Sequence, residues 1–345
     1  MIVRILLMPF AWIYDSAMRF RNHLYDLGLK PSVEFEIPVI AVGNLTVAGT
    51  GKTPMVAYLA NLLGSNTKSA VLSRGYGRIT TGLRVADSSD TSLTIGDEPL
   101  QLYRRFSRKV IVMVGEDRAY AIANLIHQFP DTEVVILDDA FQHRRVRPTL
   151  SILLTRHSRL FYDDRVMPAG QLRESSRGAN RANMVVVTKC PDSITSDEME
   201  GIESKISEFT SAPVYFTSTR YGQPVPFGTI GELPNGKVLL VTGIADPVPL
   251  ATFVERMYGP GKHLAFRDHY VYKGRDLDGI AKTFRRGEFS CVLTTEKDAM
   301  RLNRPEFARH MSTIPWFYLP VGVEFLKNGK EFDAHIKGLV YQKLK

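Results

Sequence analysis

FEIPVIAVGNLTVAGTGKTPMVAYLANLLG, residues 35–64, holds the pattern that decides the architecture of this chain. The apolar run VIAVGN (39–44) reads as a buried β-strand that stops at Gly43-Asn44, and the segment from Pro54 reads as a helix. Between them stands Gly49-Thr50-Gly51-Lys52-Thr53. Glycines there let backbone N–H groups fold around phosphate oxygens, and a helix N-terminus adds positive potential. Lys52 is placed to reach β- and γ-phosphates, and the Thr53 hydroxyl to ligate Mg²⁺. The expected nucleotide cradle is therefore Thr46, Val47, Ala48, Gly49, Thr50, Gly51, Lys52 and Thr53. The general pattern G-x-x-x-x-G-K-[ST] has glycine where this chain has Thr46.

The complementary signal is VVILDDAFQHRR (134–145), a hydrophobic strand ending in Asp138-Asp139. Carboxylates there lie at the C-terminal edge of a parallel sheet, where ligands bind and Mg²⁺ can be held. Further strand candidates are SAVLSRG, KVIVMVG, LSILLT and NMVVVTK, alternating with helical stretches such as EPLQLYRRF and DRAYAIANLIHQF. Strand–helix alternation implies right-handed βαβ units in an α/β fold with a mostly parallel, P-loop NTPase-like sheet. A second strand–turn–helix series runs from KVLLVTGIADP through SCVLTTEKDAMRL to WFYLPVGVEF. A Pro-, Gly- and Thr-rich stretch separates the two series. The expected division is a helix at 1–28, a kinase-type domain at 29–220, a linker at 221–236 and a smaller α/β domain at 237–345.

With 345 residues, 44% hydrophobic and 23% charged, the chain is excluded from global disorder. Its two cysteines, Cys190 and Cys291, cannot build a disulfide framework and read as buried thiols, which suits a reducing cytoplasm. The net charge of +8 suits an anionic partner, yet C₂H₂ spacing, an RNP-like aromatic box and long Lys/Arg runs are all missing. No nucleic-acid partner is expected, and a monomer is. No segment approaches the ~20 apolar residues needed to cross a bilayer. Residues 2–27 instead mix Trp12, Tyr14, Phe20 and Tyr25 with Arg4, Arg19 and Arg21, the composition of a helix lying in the headgroup region.

Together, the loop and the Asp pair indicate Mg–nucleotide chemistry on the β- and γ-phosphates. A kinase, a P-loop GTPase or ATPase switch of metallochaperone type, and a nucleic-acid-stimulated ATPase all remain open on these residues. Asp97-Glu98-Pro99 reads as a helix start with acids favoured by the dipole. Arg118 opens another helix, where a cation is electrostatically unfavourable and an anion-binding role is the better reading.

Further clusters occur in order: LSRGYGR (72–78), GDEP (96–99), GEDR (115–118), DDAFQH (138–143), PAGQLRE (168–174), FRDHYVY (266–272) and TTEKDAMRL (294–302). With GNLTVAGTGKTP (43–54), they make the chain resemble, over nearly its whole length, the tetraacyldisaccharide 4′-kinases, the lipid A 4′-kinases of Gram-negative bacteria. That resemblance implies ATP and Mg²⁺ as cofactors and peripheral attachment at the cytoplasmic face of the inner membrane. It implies a tetraacylated glucosamine disaccharide 1-phosphate as acceptor and lipid IV-A as product. Carried over by motif, Lys52 and Thr53 serve phosphate and metal, and Asp138, Asp139 and Glu174 organise the metal. Arg118 and Arg173 lie near the phosphates or the acceptor, and Asp97 and His269 form a catalytic pair with the carboxylate as base.

Overall fold

The structure is a computed structural model that describes residues 5–47, 49–64, 67–106, 109–228 and 233–344. Ala48, one of the expected cradle residues, lies outside the described residues. The decisive stretch folds as strand β1 (Val39–Asn44), a loop, and helix α2 (Lys52–Leu63), preceded by helix α1 (Met8–Asp26). Strands β2 (Ser69–Ser73), β3 (Arg84–Val85), β4 (Val110–Val114), β5 (Val134–Asp138), β6 (Leu150–Arg156), β7 (Met184–Thr188) and β8 (Val214–Tyr221) follow. Helices α3 (Asp97–Phe106), α4 (Arg118–Gln128) and α5 (Ser196–Ser207) are set between them.

The second part contains β9 (Val225–Pro226), β10 (Val238–Thr242), α6 (Val248–Tyr258), β11 (Lys262–Ala265), α7 (Gly274–Arg286), β12 (Cys291–Thr295), α8 (Glu296–Leu302) and β13 (Trp316–Leu319). The chain closes with β14 (Val321–Lys327) and α9 (Gly329–Lys343). Nine strands make the larger sheet, in the order β14-β8-β7-β6-β1-β5-β2-β4-β3. Every pairing from β8 to β4 is parallel, and the two edges, β14 and β3, are antiparallel. β1 is central, between β5 and β6, so the loop after it and the acids after β5 emerge side by side at one sheet edge. Five strands make the smaller sheet, β11-β10-β12-β13-β9.

The expected cut at residue 237 is not where the two sheets divide. β14 returns to the larger sheet and pairs with β8, and Phe332, Ile336 and Val340 of α9 pack in the core formed by α2 and the central strands. The reason is burial: that face of the sheet stays exposed until α9 covers it. Phe332 is wholly buried, with ring centroids 5.1 Å from Tyr215 and 4.6 Å from Phe325. Within the expected linker, β9 pairs with β13 and so joins the smaller sheet. The sheets also share an apolar cluster, in which Ile95, Leu100 and Val114 meet Leu239, Val292 and Trp316.

Replacing Phe332 by alanine should cost about 3–5 kcal/mol, as for a buried aromatic that leaves a cavity. Urea unfolding checks this, and a loss under about 1 kcal/mol would mean that α9 is not part of the main core. Both cysteines are buried, and burial pushes the Cys190 thiol up to about 11 and the Cys291 thiol up to about 12. Thiolate is therefore scarce at pH 8, and neither thiol should react with Ellman's reagent until denaturant is added.

Candidate active site

The phosphate loop begins where β1 runs out. A Cβ on Gly43 would lie 2.6 Å from the Phe141 Cβ and 2.7 Å from its backbone nitrogen. Only glycine lets the turn after Asp138 cross the end of β1 so closely. Gly51 precedes α2 with φ +81°, a left-handed conformation that glycine adopts without strain. Thr46 is absent from the positive-φ residues, and a backbone bridge pairs it with Leu172. Val47 N–H donates to the Gln171 carbonyl at 2.9 Å, and Arg173 N–H donates to the Leu45 carbonyl at 2.7 Å. An extended segment tolerates a side chain, which is why threonine can stand where the general pattern has glycine. Asn44 Nδ2 donates to Thr50 Oγ1 at 2.8 Å, and Thr188 Oγ1 donates to the Thr50 carbonyl at 2.8 Å, so the loop is braced from two strands.

This pairing carries PAGQLRE alongside the loop and delivers Arg173 to the Asp pair. Asp139, at φ +50°, accepts from Arg173 Nη1 at 2.9 Å and 3.1 Å, and Lys52 Nζ lies 3.3 Å from its Oδ1. Burial would raise the Asp139 pKa, but Lys52 and then Arg173 outweigh it and hold the carboxyl below its usual range. Asp138 is buried at the end of β5, with Ser73 Oγ 3.4 Å from its Oδ2 and no hydrogen-bond partner for Oδ1. Burial first, then Glu98 and Asp139, push its pKa well above the ordinary carboxylate value. Thr53 stands in the first turn of α2.

Arg118 is buried beside this pair. Its helix is capped by Asp117, which accepts from the Ala119 and Tyr120 amides, while the guanidinium turns inward to the Gly115 and Glu116 carbonyls. Its Nε has no partner. His143 Nε2 accepts from the Arg118 amide at 3.3 Å, and burial, then Arg118, push that imidazole down to about 4. Glu174, expected to organise the metal, is held by a hydrogen-bond set of its own. Its buried carboxylate accepts from Asn22 Nδ2 at 2.7 Å, Gln142 Nε2 at 3.1 Å and Arg181 Nη2 at 2.8 Å, so both oxygens are occupied. The glutamate ties α1 to the turn after the aspartates.

No group of three or more His, Cys, Asp or Glu side chains among the described residues could hold a metal by itself. Mg²⁺ asks for less, since it commonly takes one or two carboxylates and completes its shell with phosphate oxygens and water. The unpartnered Asp138 Oδ1, with the Thr53 hydroxyl, fits that demand.

The second group lies where α3 meets the smaller sheet. Asp97 and His269, remote in sequence, come together with His269 Nδ1 3.7 Å from Asp97 Oδ2. They are not alone. Arg301 Nε donates to Asp97 Oδ2 at 2.9 Å and its Nη2 closes on the same oxygen, while Lys297 Nζ lies 3.0 Å from Glu98 Oε1 and 3.8 Å from Asp97 Oδ2. Burial would raise the Asp97 pKa, but Lys297, Arg301 and His269 override it, and the carboxyl is held below its usual range. Tyr76 of SRGYGR meets the His269 ring edge-on at 5.4 Å. Sequence reading assigned no role to Lys297 or Arg301. Their signal was present in TTEKDAMRL, where an i,i+4 spacing puts two cations on one face of a short helix.

Helix α1 docks against the same segments with its polar side. Tyr14 OH donates to the Arg173 carbonyl at 3.1 Å and Arg21 Nη2 to the Gln142 carbonyl at 3.0 Å. Its apolar side faces outward: Ile5 and Leu6 just before it, and Phe10, Trp12, Ile13 and Phe20 within it, are 61–69% exposed. No helix among the described residues is long and apolar enough to cross a membrane.

A model of the Tetraacyldisaccharide-1-P 4′-kinase family matches residues 3–341. The tetraacyldisaccharide 4′-kinase of Bacteroides thetaiotaomicron is 42% identical over 354 residues, covering 97% of this chain and 92% of its own. That of Flavobacterium johnsoniae is 37% identical and covers 99% of both. Among solved structures, LpxK from Aquifex aeolicus in complex with ATP superposes with a TM-score of 0.77 at 29% identity, covering 99% of this chain and 100% of that one. The fold, the phosphate loop and this kinship along the whole length place the chain in the tetraacyldisaccharide 4′-kinase family.

Proposed function

We propose that this chain transfers the γ-phosphoryl group of ATP to the 4′-hydroxyl of a tetraacylated glucosamine disaccharide 1-phosphate at the cytoplasmic face of the inner membrane. The product is lipid IV-A. The observation that carries this reading is the grouping of Lys52, Arg173 and Asp139 on a phosphate loop whose flank also anchors an outward-apolar helix. Phosphoryl transfer asks mainly for positioning and charge neutralisation, and this arrangement offers both.

Lys52 and Arg173, now sharing one carboxylate, turn to the β- and γ-phosphates when nucleotide arrives, and Arg118 adds a desolvated positive charge beside them. Thr53 and Asp138 would hold Mg²⁺, which would supply neutralisation of phosphate charge when bound. On the acceptor side, we favour a proton route other than Asp97 acting as the base. Asp97 is buried and committed to Arg301, a poor state for a base, whereas the His269 ring is 38% exposed. We therefore assign the ring to accept the proton of the sugar hydroxyl, with Asp97 turned to Nδ1 to orient it and offset the charge that forms. The apolar face of α1 lies in the membrane surface beside the acyl chains, and the net charge of +8 suits an anionic bilayer and a phosphorylated lipid.

Transfer of ³²P from ATP to the lipid acceptor, with the product resolved by chromatography, tests the reaction. Lys52→Ala should lower kcat by at least about 10²-fold and leave the circular-dichroism melt unchanged, because Lys52 touches Asp139 and supports no core. A near-normal kcat would remove the phosphate-loop assignment. Placing aspartate at both Phe10 and Ile13 should weaken flotation with anionic vesicles by at least about tenfold, given ~1.5–3 kcal/mol for each buried apolar side chain. Unchanged flotation would show that this face does not meet lipid.

A further inference from the structure

We propose that Arg301 is a positioning residue for the transfer reaction, holding the Asp97 carboxylate and the His269 ring in register across the junction of the two sheets. This rests on reading Asp97 and His269 as the acceptor-side pair.

All three nitrogens of the Arg301 guanidinium are engaged. Nε and Nη2 both bond Asp97 Oδ2, so the carboxylate is gripped by a fork rather than by a point charge. Nη1 donates to the Gly243 carbonyl at 2.8 Å and to Asp298 Oδ1 at 3.0 Å. Nη2 also lies 3.4 Å from His269 Nδ1, touching the second member of the pair directly. Arg301 is buried, so these bonds are made in a medium where they are strong and where an unpaired charge is expensive.

Arg301 is itself held. Asp298 is fully buried and accepts from four groups: the Gly243 amide at 2.9 Å, Tyr272 OH at 3.2 Å, Thr295 Oγ1 at 2.7 Å and Arg301. Gly243 follows β10, Thr295 ends β12, and Tyr272 comes from the segment that carries His269. The smaller sheet thus fixes Asp298, Asp298 fixes Arg301, and Arg301 fixes Asp97 at the start of α3, on the side of the larger sheet. Without the fork, Asp97 keeps the Glu98 amide on Oδ1 at 3.2 Å, and beside Oδ2 the looser Lys297 ammonium at 3.8 Å and the His269 ring at 3.7 Å. Lysine cannot replace arginine here, because one ammonium cannot serve Asp97 Oδ2, Asp298 and the Gly243 carbonyl in one plane.

The test uses the full chain in the ³²P transfer assay with Asp97→Asn, Arg301→Gln, Arg301→Lys and the Asp97→Asn/Arg301→Gln double variant. The double variant removes the Asp97 and Arg301 charges together; Asp298 then keeps the Gly243 amide and the Tyr272 and Thr295 hydroxyls as donors, and circular dichroism checks that the sample is folded. Arg301→Gln should lose about 10²-fold in kcat, as misplaced reacting groups do, with KM for ATP moving less than about threefold. Arg301→Lys should recover little of that loss. The double variant should be no slower than Asp97→Asn, because Arg301 acts through Asp97. The proposal is overturned if Arg301→Gln keeps wild-type kcat while Asp97→Asn is impaired, if lysine restores full turnover, or if the two losses multiply. Full activity of Asp97→Asn would instead remove the acceptor-side pair, and the proposal with it.

Discussion

Asp139 is shared between Lys52 and Arg173, and the arrangement of the phosphate site depends on that contact. One carboxylate balances two cations and holds both side chains beside the loop. A phosphate entering the loop offers more negative charge than one carboxylate does, so the cations can transfer to it without leaving a bare charge behind. The contact exists because two loops are forced together. Gly43 lets the turn after β5 cross the end of β1, and the pairing of residues 45–47 with 171–173 brings Arg173 in from the far side.

The same pairing explains why α1 belongs to the site rather than to a separate appendage. A surface helix ordinarily turns its apolar stripe inward. Helix α1 instead spends Tyr14, Arg21 and Asn22 on hydrogen bonds to the protein and leaves Phe10, Trp12, Ile13 and Phe20 outside. Asn22 reaches Glu174, Tyr14 reaches the Arg173 carbonyl, and Gln142 connects Glu174 to the Asn44 carbonyl at the root of the loop. A continuous set of hydrogen bonds therefore runs from helix α1 to the phosphate loop.

At the junction of the sheets the electrostatics follow a different rule. Asp97, Glu98, Lys297, Arg301 and Asp298 gather where water is largely excluded, and charges there must be paired to be tolerated. Pairing makes Asp97 a fixed anion instead of a titrating group. A fixed anion serves best by orienting a neighbouring imidazole, and the burial of Asp97 beside the partly exposed His269 is the ground for the division of labour proposed for them. Glu98 also lies close enough to act on Asp138, which ties this junction electrostatically to the phosphate site.

Much of this was legible in the amino-acid order, because it depends on local spacing. Strand, glycine turn and helix at 39–63 define the phosphate loop, the buried run ending at Asp138 defines the second edge position, and alternation of strands with helices defines the parallel sheet. The aromatic and cationic composition of residues 2–27 likewise set that segment apart, and Phe10, Trp12, Ile13 and Phe20 do face outward. What the sequence could not show depends on contacts between distant segments. Glu174 reads as a metal-organising acid within its motif, yet Arg181, Gln142 and Asn22 occupy both of its oxygens. The smaller unit seemed to run to the C-terminus, yet β14 and α9 return to cover an apolar face that only the assembled larger sheet presents. Arg301 sits in an unremarkable short helix until the fold sets it against Asp97, 204 positions earlier in the chain. Spacing determines what a loop or a strand can be, whereas burial and charge pairing are properties of neighbours, and neighbours are chosen only when the chain has folded.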